Sequence, residues 1–368
     1  MTGAPLPFMD LRPGEDDAAV RGAIDRVIAR GWFVLGPEVE AFEGEFASAS
    51  GAAYAAGVGT GTDAIALLLR AMNIGHGDEV IVPAITAAYT GLAVLMAGAM
   101  PVFADIDPER LTLDPGACEA AITPRTAALL PVHLYGQAAD LDALQHIATR
   151  HSLALIEDCC QAHFATGGGI PVGTRGAGGA FSFYPTKNLG ALGDGGAVIT
   201  NDPAIAARVR RLRNGGQIDR YVHLEAGTNS RLDDLQAAVL RARLPFLSRW
   251  TSRRRALAAA YRSELPDNVR PLRESDSGHV YHLFVVRSRD RDALQTHLRA
   301  SGIDTLIHYP VPVPKQPAFS GVSRGECPTA ARVAQEILSL PLHPRLADAD
   351  VTRVSAAAGA FQKGRVLA

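Results

Sequence analysis

Ile65, Leu68, Leu69 and Met72 recur at i, i+3, i+4 and i+7, the spacing of one apolar helix face. Thr60 and Asp63 stand just ahead of it at the spacing of a capping box, which marks a helix start. The chain then alternates between two kinds of segment. Glu79–Val82, Pro101–Ala104, Ala127–His133 and Ala154–Glu157 are apolar without a polar alternate and are predicted as strands. Thr90–Ala97, Pro115–Ile122 and Leu141–His151, which lie between them, are predicted as helices. Strands that lack alternation belong to a sheet covered on both faces, so this part of the chain predicts a layered α/β unit.

Upstream, an arm ends near Pro13, and helices follow over Asp16–Arg30 and through Phe46. Downstream come an arginine-rich helix (Ala204–Arg213) and a polar loop (Asn214–Asn229). Ser230 and Asp233 repeat the capping spacing and predict a helix with Leu232, Leu235 and Val239 on one face. A long helix from about Pro245 carries Arg253–Leu265, and the character then changes. Val280–Val286 and Asp304–His308 are predicted as strands, Ala293–Ala300 and Ala330–Leu338 as helices. These segments predict a large unit over 1–245 with an N-terminal arm, and a smaller α+β unit over 246–368.

With 47% apolar and 20% charged residues in 368, the composition is that of an ordinary globular chain. The formal charge of −2 makes no electrostatic case for nucleic acid or an anionic membrane. Cys118, Cys159, Cys160 and Cys327 form neither a disulfide framework nor a metal-ligand spacing, so no metal is expected. Met1–Asp10 has no basic stretch followed by an apolar core, and no apolar run is long enough to span a bilayer. A cytoplasmic location is the expectation.

Ligands of a parallel sheet gather at the carboxyl ends of its strands. Asp105, His133, Asp158 and the loop before Phe181 are therefore candidates for one crevice. Lys187, Lys315 and Lys363 are the only lysines in a chain that otherwise uses arginine. An amine can lose its proton when desolvated and attack a carbonyl, which a guanidinium cannot do. Lys187 follows the aromatic strand Phe181–Tyr184 and precedes the glycine-rich run Gly190–Gly196. A lysine in a surface turn is the plain alternative, but the glycines argue for close backbone approach to something. The glycine-rich turn leading into a helix at Thr60–Ala64 suits a phosphate, although capped helix starts are common. Asp158, ending an apolar strand, needs a partner wherever it is buried, whether a ligand, a helix cap or an ion pair. An anion cradle, an acid for a pyridinium nitrogen and a Schiff-base lysine together are what a pyridoxal phosphate enzyme requires.

The order and spacing of further stretches carry a resemblance. They are Gly59–Ala64, Gly77–Pro83, Pro131–Gln137, Glu157-Asp158 with Gln161, Phe181–Gly196, Asn229–Asp233 with Gln236–Ala238, and His308–Pro310 with Gln316–Phe319. In these the chain resembles the DegT/DnrJ/EryC1/StrS sugar aminotransferases, from about Asp10 to about His343. The resemblance implies a fold-type I aminotransferase: a large three-layer α/β/α domain with a mainly parallel sheet, plus a smaller α+β C-terminal domain. It implies pyridoxal 5′-phosphate as cofactor, with pyridoxamine 5′-phosphate formed in the cycle. Lys187 would form the Schiff base, Asp158 would pair with the ring nitrogen and Gln161 would lie near the ring hydroxyl. Backbone N–H groups of Thr62 and Asp63, with the Ser182 hydroxyl, would hold the phosphate. Asn229 would reach it from the neighbouring subunit of a homodimer with shared sites, and His308 and Tyr309 would face substrate.

The implied reaction moves an amino group from L-glutamate to a keto-sugar nucleotide in amino-sugar biosynthesis, by ping-pong kinetics. The Lys-Asn-Leu-Gly-Ala run looks more like members acting on a dTDP-3-keto-6-deoxyhexose than on a 4-keto nucleotide sugar, the alternative. In one departure, Ala87 and Ala88 follow Thr86 where the family usually has a stacking ring, and the nearest ring is Tyr89. A sugar dehydratase of this family would carry histidine in place of Lys187. A catalytically silent regulator on the same fold is the reading from another class. A dinucleotide-binding oxidoreductase fails because Thr62 stands where the third glycine of its motif is needed.

Overall fold

The computed structural model describes residues 4–322 and 325–365. Seven strands form the central sheet: β1 (Tyr54–Val58), β2 (Glu79–Pro83), β3 (Met100–Ala104), β4 (Thr126–Leu129), β5 (Ala154–Asp158), β6 (Gly178–Ser182) and β7 (Gly196–Thr200). Their spatial order is β1-β7-β6-β5-β4-β2-β3. Strands β3, β2, β4, β5 and β6 pair in parallel, whereas β7 runs antiparallel to both β6 and β1.

The missing alternation has a direct cause. Val80 and Val82 point into one apolar layer and Ile81 into the other, and all three are fully buried. Helices α1 (Asp17–Arg30), α2 (Pro37–Ala49), α3 (Gly61–Ala71), α4 (Ala88–Met96), α5 (Pro115–Ala120), α6 (Leu141–Arg150) and α7 (Pro203–Leu212) accompany the strands. Apolar residues of α3, α4 and α7 build the first layer, and those of α5 and α6 the second. On the β6–β7 side, Phe42 and Phe46 of α2 meet Phe181 and Phe183 edge-on.

Helices α8 (Asp234–Arg243) and α9 (Leu247–Glu264) lead to the C-terminal part. There β8 (Arg270–Pro271), β9 (Phe284–Arg287) and β10 (Ile337–Leu340) form an antiparallel sheet. It is accompanied by α10 (Arg291–Ala300), α11 (Pro328–Glu336) and α12 (Asp348–Arg365). The N-terminal arm joins this part: Leu6 is buried among its apolar residues and donates its N–H to Gly302 O at 2.8 Å.

Several expectations need correction. Strand β1 adds to the strands expected from the sequence; its partner is β7, remote in sequence. Helix α8 starts at Asp234 rather than Ser230, because the Ser230 hydroxyl accepts the N–H of Gly59 instead of capping a helix. The helix expected to run to Leu338 ends at Glu336, because Ile337–Leu340 pairs with β9. Tyr281 sits at φ 47, and the strand expected over 280–286 is instead Phe284–Arg287. Asp304–His308 contributes a single bridge, Leu306 to Ser339.

Candidate active site

At the carboxyl ends of β4, β5 and β6 lies a cavity of about 760 Å³. Thr60, Gly61 and Thr62 form one end of its wall, Asp158 and Lys187 lie within it, and His308 and Tyr309 close the other end.

The first end is the start of α3. Thr60 Oγ1 accepts the N–H of Asp63 at 3.0 Å and donates to Asp63 Oδ2 at 3.0 Å. The expected capping pair is therefore real, but it consumes the N–H of Asp63. Gly61 and Thr62 are the first-turn residues that line the cavity, and first-turn N–H groups have no partner within a helix. Ser182 joins them there. Gly61 is required for this closeness: a Cβ would come within 2.7 Å of both Ser182 Cβ and Cys160 Sγ.

Asp158 is 4% exposed at the end of β5. Its Oδ2 accepts the Thr90 hydroxyl at 2.8 Å, and its Oδ1 accepts the backbone N–H of Cys160 at 3.0 Å. Thr86 Oγ1 lies 3.1 Å from Thr90 Oγ1. Two bonds leave acceptor capacity on a carboxylate that faces the cavity.

Lys187 belongs to a tightly tied loop. Its N–H donates to Tyr184 O at 2.8 Å, Ala191 N–H to Phe183 O at 2.7 Å, and Asn188 Nδ2 to Val280 O at 3.0 Å. Burial lowers the pKa of the Lys187 amine, with Cys160 and Asp158 opposing the shift. This is the direction a nucleophilic amine requires.

Gln161 is held at both ends, its Oε1 accepting Tyr135 N–H at 2.8 Å and its Nε2 donating to Tyr309 OH at 3.0 Å. The Tyr135 hydroxyl donates to His308 O, and His308 Nδ1 lies 2.8 Å from Ser339 Oγ. Burial holds His308 down to about 4 and pushes Tyr309 up to about 12.

Other expected positions fall elsewhere. Asn229 is exposed on its loop, outside the cavity of its own chain. Asp105 accepts the N–H groups of Thr329 and Ala330 at 2.8 Å and so caps α11. His133 lies in the layer behind. Its Nδ1 accepts Ala139 N–H at 3.1 Å, so Nε2 carries the proton that meets Glu157 Oε2 at 2.9 Å. Glu157 also accepts the N–H groups of Gly173, Arg175 and Gly176. With both His133 nitrogens used, the buried His133–Glu157–Cys159 group has no imidazole ligand left for a metal.

Sequence reasoning missed Thr90, Cys160 and His282, all of which border the cavity. Thr90 sits one helical turn after Thr86, the only signal it gave. Ala87 and Ala88 border the cavity too, and Tyr89 stands there 65% exposed.

A lysine amine of lowered pKa, a buried carboxylate and a helix start around one cavity, on this sheet, are the features of the fold-type I aminotransferase class. The chain belongs to the DegT/DnrJ/EryC1/StrS aminotransferase family, whose sequence profile matches residues 15–358. It is 50% identical over 356 residues to the dTDP-3-amino-3,4,6-trideoxy-alpha-D-glucose transaminase of Streptomyces venezuelae, covering 95% of this chain and 94% of that one. It is 51% identical over 350 residues to the erythromycin biosynthesis sensory transduction protein EryC1 of Saccharopolyspora erythraea, covering 93% and 95%. The crystal structure of S. venezuelae DesV in complex with a ketimine intermediate superposes with a TM-score of 0.95 at 48% identity, covering 98% and 99%. The family depends on pyridoxal phosphate. No helix among the described residues is long and apolar enough to cross a membrane.

Proposed function

We propose that this chain is a nucleotide-sugar aminotransferase that moves an amino group from L-glutamate to C3 of a dTDP-3-keto-deoxyhexose. The observation that carries the reading is the joining of Lys187, Asp158 and the start of α3 around one cavity. Relatives about half identical to this chain support the sugar, since one is named for a 3-amino dTDP-sugar.

The residues fit pyridoxal phosphate. Gly61 leaves a cradle that a Cβ would fill, at a helix start that favours a phosphate. Thr62, Gly61 and Ser182 would hold that phosphate, with the Asp63 side chain fixing the turn through Thr60. Asp158 would pair with the ring nitrogen, Gln161 would lie beside the ring, and Lys187 would carry the covalent link. When bound, the cofactor supplies an aldehyde and an electron-withdrawing ring. The chain's own part is positioning and proton transfer. Asp158, fixed by Thr90 and Cys160, holds its negative charge in one place. Lys187, its pKa lowered by burial, takes and returns a proton at Nζ. His308 and Tyr309 bound the side on which substrate enters.

Asn229 lies outside its own cavity, which supports a homodimer in which each chain completes its partner's site. The test is absorption of the purified protein with pyridoxal phosphate before and after L-glutamate, then with the keto-sugar. Bleaching by glutamate and recovery with a 3-keto sugar are expected; recovery only with a 4-keto sugar would reassign the position. The name of the 51% identical relative favours a second reading, a regulator without turnover. Cofactor that glutamate never bleaches would favour it.

A further inference from the structure

The central sheet ends at β1, which has a strand on one side only among the described residues. The backbone groups on its other side must be satisfied by something else. Three side chains do so. Glu43 of α2 accepts the Gly57 N–H at 2.8 Å. Arg213, just past α7, donates from Nη1 to Gly57 O at 2.7 Å, and Arg210 of α7 donates to Ala55 O at 2.7 Å. Glu43 also pairs with both guanidiniums, that of Arg210 lying at 3.3 Å. Glu43 is 8% exposed and Arg213 7%, so their ion pair is buried. Desolvation offsets much of the attraction within a buried pair, and stability alone is a poor account of one.

The groups this pair fixes stand next to the turn that opens α3. Arg213 O accepts the Ser230 N–H at 2.9 Å, and Ser230 Oγ accepts the Gly59 N–H at 2.9 Å. The contacts close a ring, Arg213–Gly57–Val58–Gly59–Ser230, around the last residues before Thr60 caps the helix. The backbone bond to Ser230 survives any substitution of Arg213. The Arg213 side chain is what ties Gly57 to that backbone, and Glu43 holds the side chain in place. None of Glu43, Arg213 and Ser230 lines the cavity that contains Lys187, so any effect they have on it passes through the turn.

We propose that Glu43, Arg213 and Ser230 are positioning residues for the cofactor phosphate, setting where the first-turn N–H groups of α3 point. The inference rests on the reading that the start of α3 holds that phosphate. Hydrogen bonds weaken steeply as the donor angle departs from linear. A turn released from the ring therefore loses phosphate affinity, while Asp158 and Gln161, held by other partners, keep their place beside the ring of the cofactor.

The experiment compares equilibrium binding of pyridoxamine 5′-phosphate and of pyridoxamine to the purified apoprotein. The two differ only in the phosphate, and neither has an aldehyde to react with Lys187. Wild type is expected to prefer the phosphorylated compound. Ser230→Ala, which loses one hydrogen bond, should cut that preference about 5-fold. Glu43→Gln combined with Arg213→Met removes both buried charges together and should cut it at least ~10-fold. Affinity for pyridoxamine should stay the same in both variants. Equal weakening of the two compounds, or an unchanged preference in either variant that folds, overturns the proposal. Where the double variant does not fold, Ser230→Ala decides alone. A wild type without preference would remove the phosphate from the start of α3, and this inference would fall together with that reading.

Discussion

Thr90 Oγ1 donates to Asp158 Oδ2 at 2.8 Å across 68 residues of sequence, tying the first turn of α4 to the end of β5. With the Cys160 N–H on the other oxygen, the carboxylate is oriented from both sides. A hydrogen bond to a charged group contributes about 1.5–3 kcal/mol, so Thr90→Val should weaken pyridoxal phosphate binding about 10- to 100-fold. Titration of the apoprotein, followed by absorption, measures it; an unchanged Kd would remove Thr90 from the site.

Gly61→Ala should abolish cofactor binding while leaving the far-UV circular dichroism intact. The new Cβ would sit 2.7 Å from Ser182 Cβ and 3.1 Å from Ser182 Cα, and backbone cannot swing aside as a side-chain tip can. Adding Cys160→Ala relieves the contact with sulfur only, so the double variant should stay defective. Rescue by that second change would place the constraint at Cys160 alone.

Lys187→Ala should lose multiple-turnover activity by at least ~10³-fold, and Lys187→Arg should not restore it, because a guanidinium stays charged. Steady-state assay with glutamate and a keto-sugar tests this. Full activity of either variant would defeat the mechanism.

Acid should destabilise the fold in a defined window. Burial holds His163 and His279 down to about 3, and His308 and His343 to about 4, against 6.5 when unperturbed. Between 6.5 and about 4 the unfolded chain binds protons that the folded chain refuses. Stability is therefore complete above 6.5 and lost as the pH falls. Thermal midpoints should hold from pH 7.5 to about 6.5 and decline from there to 4.5; a flat profile throughout would contradict the burial of these rings.

If sites are shared, chains carrying Lys187→Ala and chains carrying Asn229→Ala should complement one another. Random pairing gives half heterodimers, each with one intact site, hence about a quarter of wild-type activity. Activity no higher than that of the separate variants would place Asn229 outside the partner's site.

The layered sheet was legible because burial on both faces writes itself into Val80-Ile81-Val82 as unbroken apolarity. Asp158 and Lys187 were legible because each stands out against its local composition. What escaped depends on partners far along the chain. Ser230 looked like a helix cap and instead serves Gly59, 171 residues away. Asp105 and His133 end strands as a site residue should, yet one caps α11 and the other braces Glu157. Thr90 offers only its spacing from Thr86, since its role appears only when β5 lies beside it.

Among the described residues, strand β1 pairs with β7 alone, and the Gly59–Gly61 turn that follows it is fixed by Ser230 and packs against Gly196. During synthesis on a ribosome the first sixty residues therefore emerge without the strand that completes their edge of the sheet. The part of α3 that packs on β6 and β7 waits until residue 200 has cleared the exit tunnel, and Gly59 waits for Ser230. The Gly59–Gly61 turn, near the start of the chain and proposed to hold a phosphate, is thus among the last local structures to be completed, and a polypeptide truncated before Ser230 lacks the hydroxyl that accepts the Gly59 N–H.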